Sequence, residues 1–491
     1  MWEGILTGLY TAFDINNFFW VVAGCLAGTF VGMVPGLGPI TAIALMIPIS
    51  YSLEPAAGMI MMAGVYYGAV FGGSTSAILI NAPGVASTVA TSFDGYPMAR
   101  SGQGGRALAI AAYSSFVGGT IGALVLMFFA SVLAGLAMGF QSPDYALVLI
   151  IALSSIAAFS EPADSLKAIV MALFGLMLGT IGTDQSAGIQ RFTFGLTDLT
   201  EGIPFILLAM ATFALGEAFR MIIEGDETNV APASQARLHA GDASRMKETV
   251  ARSSLLGFFI GILPGAGATL ASFVAYDTEK RFHPTDKVRG IAAPEAANNA
   301  ACTGSFVPLL TLGIPGSGTT AILLGVMLGY GIQPGPHLLA SEPEIFWGVI
   351  ISMYIGNLVL LGLNLPLIPY ISKIIYIQKH VLIPFVIAFS LLGVYLTTVN
   401  PFHVFLMLGF GILAIILRSA SYPLAPLLLG FILSGMLEEN LRRTLYLSDG
   451  SLAIFFETPL TATLSIICIT LWILTLTKSV RSGTSNLNQS G

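Results

Sequence analysis

Charged residues are scarce in this chain: Asp, Glu, Lys and Arg make up 9% of its 491 residues, whereas 55% of the residues are hydrophobic. A soluble globular protein carries about 25% charged residues, and so few charges cannot cover a water-facing surface of this size. The apolar runs are long and continuous rather than alternating, which excludes a transmembrane β-barrel. The composition therefore predicts an all-α polytopic membrane protein embedded in a lipid bilayer.

Motifs for enzyme chemistry are also lacking. The chain has no G-x-x-x-x-G-K-[ST] phosphate loop, no His/Cys spacing typical of a metal site and no Ser or Cys nucleophile supported by His. Its cysteines, Cys25, Cys302 and Cys468, lie far apart in apolar segments and indicate neither a disulfide framework nor a metal site. No basic cluster suits nucleic acid. We therefore expect no enzyme, no nucleic-acid partner, no cofactor and no ATP-driven transport by this chain alone.

Apolar runs long enough to span the bilayer core recur along the whole chain. The one substantial polar interruption, residues 224–252, separates two halves. The N-terminus lacks the basic region of a signal peptide, so the first apolar segment is expected to be retained. We predict about 11 crossings plus two re-entrant hairpins.

Lys and Arg indicate the orientation, because cytoplasmic loops carry an excess of them. The segment before Asn17 has no Lys or Arg, so the N-terminus is predicted to lie outside. The segments that Lys and Arg place in the cytoplasm are 97–106, 224–252, 278–293 and the C-terminus. Arg442 and Arg443 fall on the predicted outer side and are the main exception, and we expect them to pair with Glu438 and Glu439.

The chain contains an internal repeat. VPGLG at 34–38 matches LPGAG at 263–267, and NAPG at 81–84 matches GIPG at 313–316, with similar spacing inside each copy. In copy one the loop after the first motif has no Lys or Arg and the later loop has two, whereas in copy two the corresponding numbers are four and none. The positive-inside rule then predicts that the copies face opposite ways, as an inverted-topology repeat. The alternative is an ordinary helical bundle with chance similarity of Gly and Pro.

This repeat predicts a division of the chain into four parts. The first repeat is 1–223 (hairpin 17–53, broken helix 56–96, scaffold-type helices 107–223), followed by a cytoplasmic linker 224–252, the second repeat 253–437 (hairpin 253–278, broken helix 295–331, scaffold-type helices 345–437), and a C-terminal helix and cytoplasmic tail 438–491.

Broken helices leave backbone groups without partners inside the membrane. Helix N-termini suit carboxylates, whereas unwound carbonyls and helix C-terminal ends suit Na⁺. We predict as substrate-binding the glycines and the hydroxyl and amide side chains near the breaks: Gly36, Gly38, Ser74, Thr75, Ser76, Asn81, Ser87, Thr88, Gly265, Gly267, Asn298, Asn299, Ser305, Ser317, Thr319 and Thr320. We predict as ion-binding Pro35, Ala82, Gly84, Pro264, Thr303 and Gly316. For each hydroxyl the alternative is a bond to its own helix or to a neighbouring helix, and for each glycine it is close helix packing.

Few ionisable groups flank the broken segments, and no buried Arg is evident that would hold an anion. Asp94, Asp277, Glu279 and Glu295 each fall near a predicted interface, so that loop solvation or a Lys/Arg partner explains them as well as a functional role does. His337 is expected to be a solvated loop residue.

Three long motifs resemble one known family. GTFVGMVPGLGPITAIALMIP, YYGAVFGGSTSAILINAPG and PEAANNAACTGSFVPLLTLGIPGSGTTAILLGVMLGYGIQPGP stand in the order found in the large membrane subunit of the bacterial tripartite tricarboxylate transporters. The resemblance covers the chain from about residue 15 to residue 475. It implies a small four-helix membrane subunit and a periplasmic solute-binding protein as partners, a carboxylate such as citrate as substrate, and an ion gradient, commonly Na⁺, as driving force. It also fits an elevator-like movement of the hairpin-bearing part against a scaffold.

Together these features predict the permease subunit of a binding-protein-dependent secondary importer of carboxylates, either a tricarboxylate such as citrate or a related di- or monocarboxylate. It is expected in the bacterial inner membrane, with a periplasmic N-terminus and a cytoplasmic C-terminus. The alternative is a stand-alone secondary transporter or exporter of small organic anions that needs no binding protein.

Overall fold

The computed structural model describes residues 2–159, 165–184, 186–224, 235–265, 267–371 and 379–489. Of the model, 81% is helical. In the described residues the only strands are the two-residue pair β1 (Gly182–Thr183) and β2 (Gln190–Arg191), which are antiparallel. The predicted all-α class is therefore confirmed.

The helices follow the two halves of the sequence. In the first half they are α1 (Trp2–Phe13), α2 (Ile15–Met33), α3 (Gly38–Ser50), α4 (Pro55–Ile80), α5 (Val89–Met98), α6 (Gly104–Ala137), α7 (Ser142–Phe159), α8 (Ser165–Gly179), α9 (Phe205–Ala209) and α10 (Gly216–Glu224). In the second half they are α11 (Asp242–Ile262), α12 (Gly267–Phe282), α13 (Lys287–Gly304), α14 (Phe306–Leu312), α15 (Gly318–Gly329), α16 (Leu338–Ser341), α17 (Pro343–Asn364), α18 (Ile368–Ile371), α19 (Lys379–Thr398), α20 (Pro401–Ser419), α21 (Ala425–Leu447) and α22 (Pro459–Gln489).

Many of these helices suit a bilayer. Within the described ranges, seven helical segments are long and apolar enough to cross a membrane, and further apolar helices are shorter. The chain is therefore a multi-pass membrane protein. The count of about 11 crossings and the side on which each loop lies stay predictions.

Three boundaries differ from the sequence-based ones. The predicted linker 224–252 is shorter, because α11 already begins at Asp242; residues 225–234 of that linker lie outside the described residues. The helix that leads to the second break begins at Lys287 rather than at 295. At the C-terminus, α22 extends to Gln489 and includes most of the predicted polar tail.

The first repeat is held together by close backbone contact between α2 and α4. A Cβ added at Gly28 would overlap the carbonyl of Val65, and one added at Gly32 would overlap the carbonyl of Ala69. Glycine lets the two helix backbones approach at these points, which is how helices pack when lipid removes the hydrophobic driving force.

The second repeat shows the same contact between α11 and α13. A Cβ at Gly257 would overlap the carbonyl of Ala297, and one at Gly261 would overlap the carbonyl of Ala301. Gly257 and Gly261 stand at the positions that correspond to Gly28 and Gly32 of the first copy. The repeat is therefore present in the packing as well as in the sequence.

The arginines on the predicted outer side have acidic partners. Arg442 lies 2.7 Å from Glu438 and 2.9 Å from Asp184, and Arg443 lies 2.5 Å from Glu439. The pairing with Glu438 and Glu439 is confirmed. Asp184, in the loop between β1 and β2, is a partner that the sequence does not indicate.

Candidate functional site

Each repeat contains a helix that stops, and the chain becomes helical again after a few residues. α4 ends at Ile80, and Asn81 follows with φ +54°; α14 ends at Leu312, and Gly313 follows with φ +70°. Asn81 and Gly313 are equivalent in the repeat, and Gly and Asn are the residues that most readily end a helix in the left-handed conformation. The breaks lie where the NAPG and GIPG motifs predict them.

Each repeat also contains a tight turn between two packed helices. In the turn between α2 and α3, Gly36 and Gly38 have φ of +86° and +63°. In the turn between α11 and α12, Gly265 and Gly267 have φ of +79° and +58°, while Ala266 lies outside the described residues. Both glycines of each PGxG motif thus hold conformations that other residues rarely adopt. We call these turns tip 1 (34–38) and tip 2 (263–267).

The tips lie against the breaks. The Gly265 N–H donates to the Gly316 carbonyl at 3.3 Å, and a Cβ added at Gly38 would lie 3.3 Å from the Gly84 carbonyl. The two repeats also meet here, because a Cβ added at Gly318 would lie 3.2 Å from Cδ1 of Ile40 in α3. The structure therefore brings the four interrupted segments into one region.

Accessibility divides the predicted site residues into two groups. Gly36 and Asn81 are exposed, and the half-buried ones are Pro35, Gly38, Ala82, Pro264, Gly265, Gly267 and Ser317. The remaining predicted residues are buried. The exposed and half-buried residues all lie in the tips and breaks.

Several buried hydroxyls shape the breaks. Ser76 Oγ accepts the Gly84 N–H at 3.0 Å and donates to the Gly73 carbonyl, to which Thr88 Oγ1 also donates at 3.2 Å. At the second break, Ser317 and Thr320 form a reciprocal capping box at the start of α15. These contacts fix the turn geometry.

Close packing accounts for other predicted residues. A Cβ at Gly84 would overlap the Gly32 carbonyl, and a Cβ at Gly316 would lie 2.9 Å from Cα of Ser305. Ser305 Oγ and Thr303 Oγ1 donate to carbonyls three residues earlier, both at 2.7 Å. Thr303 Oγ1 also faces Gly122 of α6.

Three predicted side chains carry buried polar atoms without a partner among the described residues: Ser87 Oγ, Asn298 Nδ2 and Asn299 Oδ1. An orphaned buried polar atom is costly. These three atoms therefore have hydrogen-bonding capacity that the described residues do not use. Thr75 is buried beside a small cavity, and Thr319 is buried at the start of α15.

An arginine that the sequence does not indicate lies beside tip 1, and its side chain is partly exposed. A Cβ added at Gly36 would overlap the guanidinium of Arg220. Arg220 and Arg418 both form ion pairs with Glu217, whose side chain is 3% exposed. This cluster joins α10 to α20 and places two positive charges and one negative charge next to the tip. The sequence does not reveal it, because Gly36 and Arg220 are far apart in the chain.

Most acidic residues near the broken segments have basic partners. Asp94 lies 2.7 Å from Lys280, and Asp277 lies 2.7 Å from Arg281. Glu279 pairs with Arg252 and lies 2.8 Å from His283. The explanation by Lys/Arg partners is confirmed for these three, and His337 is exposed as expected.

Glu295 is different, because among the described residues neither loop solvation nor a Lys or Arg partner explains it. It lies inside α13 and is 0% exposed, because the helix begins two turns earlier than predicted. Its carboxylate accepts hydrogen bonds from Thr91, Ser115 and Ser74, at 2.6, 2.8 and 2.7 Å. One signal in the sequence points to it: Glu295 is the only Asp, Glu, Lys or Arg between residues 290 and 341.

Comparison with known proteins agrees with the resemblance described above. Residues 18–429 match the model of the tripartite tricarboxylate transporter TctA family. The chain is 42% identical over 483 residues to an "uncharacterized 52.8 kDa protein in TAR-I ttuC' 3'region" of Agrobacterium vitis, covering 97% of this chain and 96% of that protein. It is 43% identical over 235 residues to an "uncharacterized protein in TAR-II ttuC' 3'region" of the same organism, covering 46% of this chain and 96% of that protein. No solved structure matches. The chain therefore belongs to the tripartite tricarboxylate transporter TctA family.

Proposed function

We propose that this protein is the permease subunit of a secondary importer that takes a carboxylate from a periplasmic binding protein and carries it across the bacterial inner membrane. The substrate is a tricarboxylate such as citrate, or a related di- or monocarboxylate, and a Na⁺ gradient drives uptake. A small four-helix membrane subunit completes the complex. Membership of the TctA family supports the transporter class and these partners.

The observation that carries the proposal is the meeting of two tips and two breaks in one region. Unpaired backbone groups are tolerated at membrane depth only where protein or a water-filled cavity covers them. In secondary transporters, discontinuous helices of inverted repeats form substrate and ion sites of this kind. Packing alone does not explain why a tight turn and a helix break occur at equivalent positions of both repeats.

The chemistry of the region suits a carboxylate. The first N–H groups of α15, preceded by Ser317, present a positive helix end. Arg220 at tip 1 adds a planar donor that carboxylates pair with readily. Because Arg220 already pairs with Glu217, its attraction for a substrate is moderated, which favours release as well as binding.

Na⁺ suits the negative C-terminal ends of the helices that stop at the same breaks. α4 and α14 end at the breaks, where the last carbonyls of a helix lack intrahelical donors. Carbonyl oxygens of this kind are typical Na⁺ ligands in transporters with broken helices.

Uptake by the reconstituted complex tests the proposal. The proteoliposomes contain this chain and the small membrane subunit, and the binding protein is added outside. They should accumulate labelled citrate, or the binding protein's own ligand, when Na⁺ is present outside. Uptake should cease when choline replaces Na⁺ at constant pH. Persistence with a proton gradient alone would assign the coupling to H⁺, and uptake without the binding protein would favour a stand-alone transporter.

Substitutions at the tips connect that uptake to the site. Gly36→Leu and Gly265→Leu should abolish uptake while membrane insertion is retained, because neither position accepts a side chain in its left-handed conformation. Gly135→Leu in α6 is the matched control, since a Cβ there meets nothing within 4 Å. Normal uptake by both tip variants would contradict the proposed site.

A further inference from the structure

Glu295 is the centre of a second polar cluster, made by four different helices. Ser74 from α4 and Ser115 from α6 both donate to Oε2 of Glu295, at 2.7 and 2.8 Å. Thr91 from α5 donates to Oε1 at 2.6 Å. All four residues are at least 95% buried. None of the roles assigned above to the tips and breaks uses this carboxylate.

The carboxyl group of Glu295 has no basic partner in the part of the chain that the structure describes. Among the described residues, no Lys, Arg or His forms an ion pair with Glu295, although Asp94, Asp277 and Glu279 all have such a partner. A carboxylate removed from water is stable only when it is paired, protonated or bound to a cation. Ionisable groups at membrane depth commonly mark ion pathways for this reason.

A small cavity adjoins the two serine hydroxyls that donate to Oε2 of Glu295. Its volume is about 10 Å³, and it is lined by Ser74 and Ser115, the two donors to Oε2, together with Thr75 and Asn364. A space of this size holds about one water-sized sphere. Nδ2 of Asn364 donates to the Leu360 carbonyl, which leaves Oδ1 as the remaining polar atom of that side chain.

We propose that this cluster is a binding site for one Na⁺ ion, with Glu295, Ser74, Ser115 and Thr91 as oxygen ligands. One carboxylate balances one positive charge, and hydroxyl and carboxylate oxygens suit a hard cation. A proton would need neither the adjacent cavity nor three hydroxyl donors. Ser74 Oγ also lies 3.4 Å from the Val70 carbonyl, so its hydrogen can turn there and leave a lone pair for the ion.

The site links the two repeats. Glu295 comes from the second repeat, whereas Ser74 and Thr91 come from the first and lie on either side of the first break. Ser76, which fixes the turn of that break through Gly84, is two residues from Ser74. A bound ion would therefore contact α13 and the helices on both sides of the first break, α4 and α5. Its role in coupling rests on the proposed transport function, whereas binding itself does not.

Thermal unfolding of the purified protein at fixed pH and ionic strength, with choline replaced stepwise by Na⁺, tests binding directly. Tm of the wild-type protein should rise saturably with Na⁺, because a ligand of the native state stabilises it. In Glu295→Gln the apparent Kd for Na⁺ should increase at least about tenfold. An increase of less than about twofold, or a wild-type Tm that does not respond to Na⁺, would overturn the site.

Neighbouring serines give a matched pair of variants that does not depend on the folding of Glu295→Gln. Ser115→Ala should weaken Na⁺ binding about 3- to 10-fold, because it removes one oxygen ligand. Ser114→Ala should leave it unchanged, since Ser114 Oγ has no hydrogen-bond partner among the described residues. Equal effects of the two variants would contradict the assignment.

The uptake assay separates this inference from the proposed function. Sodium-driven uptake together with wild-type Na⁺ binding by Glu295→Gln would overturn the site and leave the transport function standing. Sodium binding that depends on Glu295 in a complex that takes up no carboxylate would support the site and contradict the proposed substrate class.

Discussion

Tip 1 and tip 2 have similar backbone conformations but different neighbouring residues. Gly36 and Gly265 have φ of +86° and +79°, and Gly38 and Gly267 have φ of +63° and +58°. Tip 1 touches Arg220 at Gly36. At the second glycine of each motif, a Cβ added at Gly38 would lie 3.3 Å from the Gly84 carbonyl, whereas one added at Gly267 meets nothing within 4 Å among the described atoms. The PGxG residues thus determine how each turn is built, and residues outside these motifs determine the chemistry beside it.

The charged cluster at tip 1 gives the largest expected difference. Glu217→Ala should lower the free energy of unfolding by about 3 kcal/mol, because it removes the charged hydrogen bonds that Arg220 and Arg418 donate to one buried carboxylate. Glu439→Ala, which removes the exposed partner of Arg443, should change it by no more than about 1 kcal/mol. Equilibrium unfolding in mixed micelles measures both, and equal losses would show that the cluster at tip 1 does not stabilise the fold.

Substitution of the glycines at the α2–α4 and α11–α13 contacts should lower the free energy of unfolding by similar amounts in the two repeats. Gly28→Ala and Gly257→Ala each place a methyl group against a backbone carbonyl that cannot move aside, so each should cost about 1–3 kcal/mol. Gly135→Ala, in open space, should be neutral or stabilising by up to about 1 kcal/mol. The same unfolding measurement applies. Losses that differ widely between Gly28 and Gly257 would show that the repeat does not extend to packing.

Alanine at the tips should separate backbone strain from contact with Arg220. Gly267→Ala should cost about 1–2 kcal/mol, the price of a left-handed residue with a Cβ. Gly36→Ala should cost more, because its methyl group also displaces Arg220. Gly102→Ala has a similar φ in open space and controls for strain alone. Equal losses of unfolding free energy at Gly36 and Gly267 would show that Arg220 does not pack against tip 1.

The smallest effect is expected on acidification of the β1–β2 loop, far from both tips. Arg442, with the backbone N–H groups of Ser186 and Ala187, holds the pKa of Asp184 well below its usual range. Since this pKa is lowered on folding, the stabilisation is present above the unfolded-state pKa of about 3.9 and is lost as the pH falls below it. Tm measured from pH 7 to pH 3 should therefore fall less for Asp184→Asn than for the wild-type protein. Parallel curves would show that the ion pair does not stabilise the fold.

The sequence is informative where structure is determined locally. Asn81, Gly313 and the PGxG glycines indicate breaks and turns because their own backbone preferences cause them. The sequence does not indicate the buried hydrogen bonds of Glu295, because its partners Ser74, Thr91 and Ser115 are 221, 204 and 180 residues away in sequence. The contact of Arg220 with tip 1 was missed for the same reason. Local patterns thus predict the repeated framework, whereas the side chains that give it charge come from tertiary packing.

Cysteine protection tests most directly whether the two breaks form one carboxylate site. Ala82→Cys and Ser317→Cys place a thiol at each break, at positions that are half-buried, and Ser52→Cys provides an exposed control in the loop between α3 and α4. Background labelling should be low, because Cys25, Cys302 and Cys468 are buried. In transport-competent variants, the carboxylate that is taken up should slow alkylation at both breaks and leave Ser52→Cys unaffected. Unchanged alkylation at both breaks during saturating uptake would contradict the account.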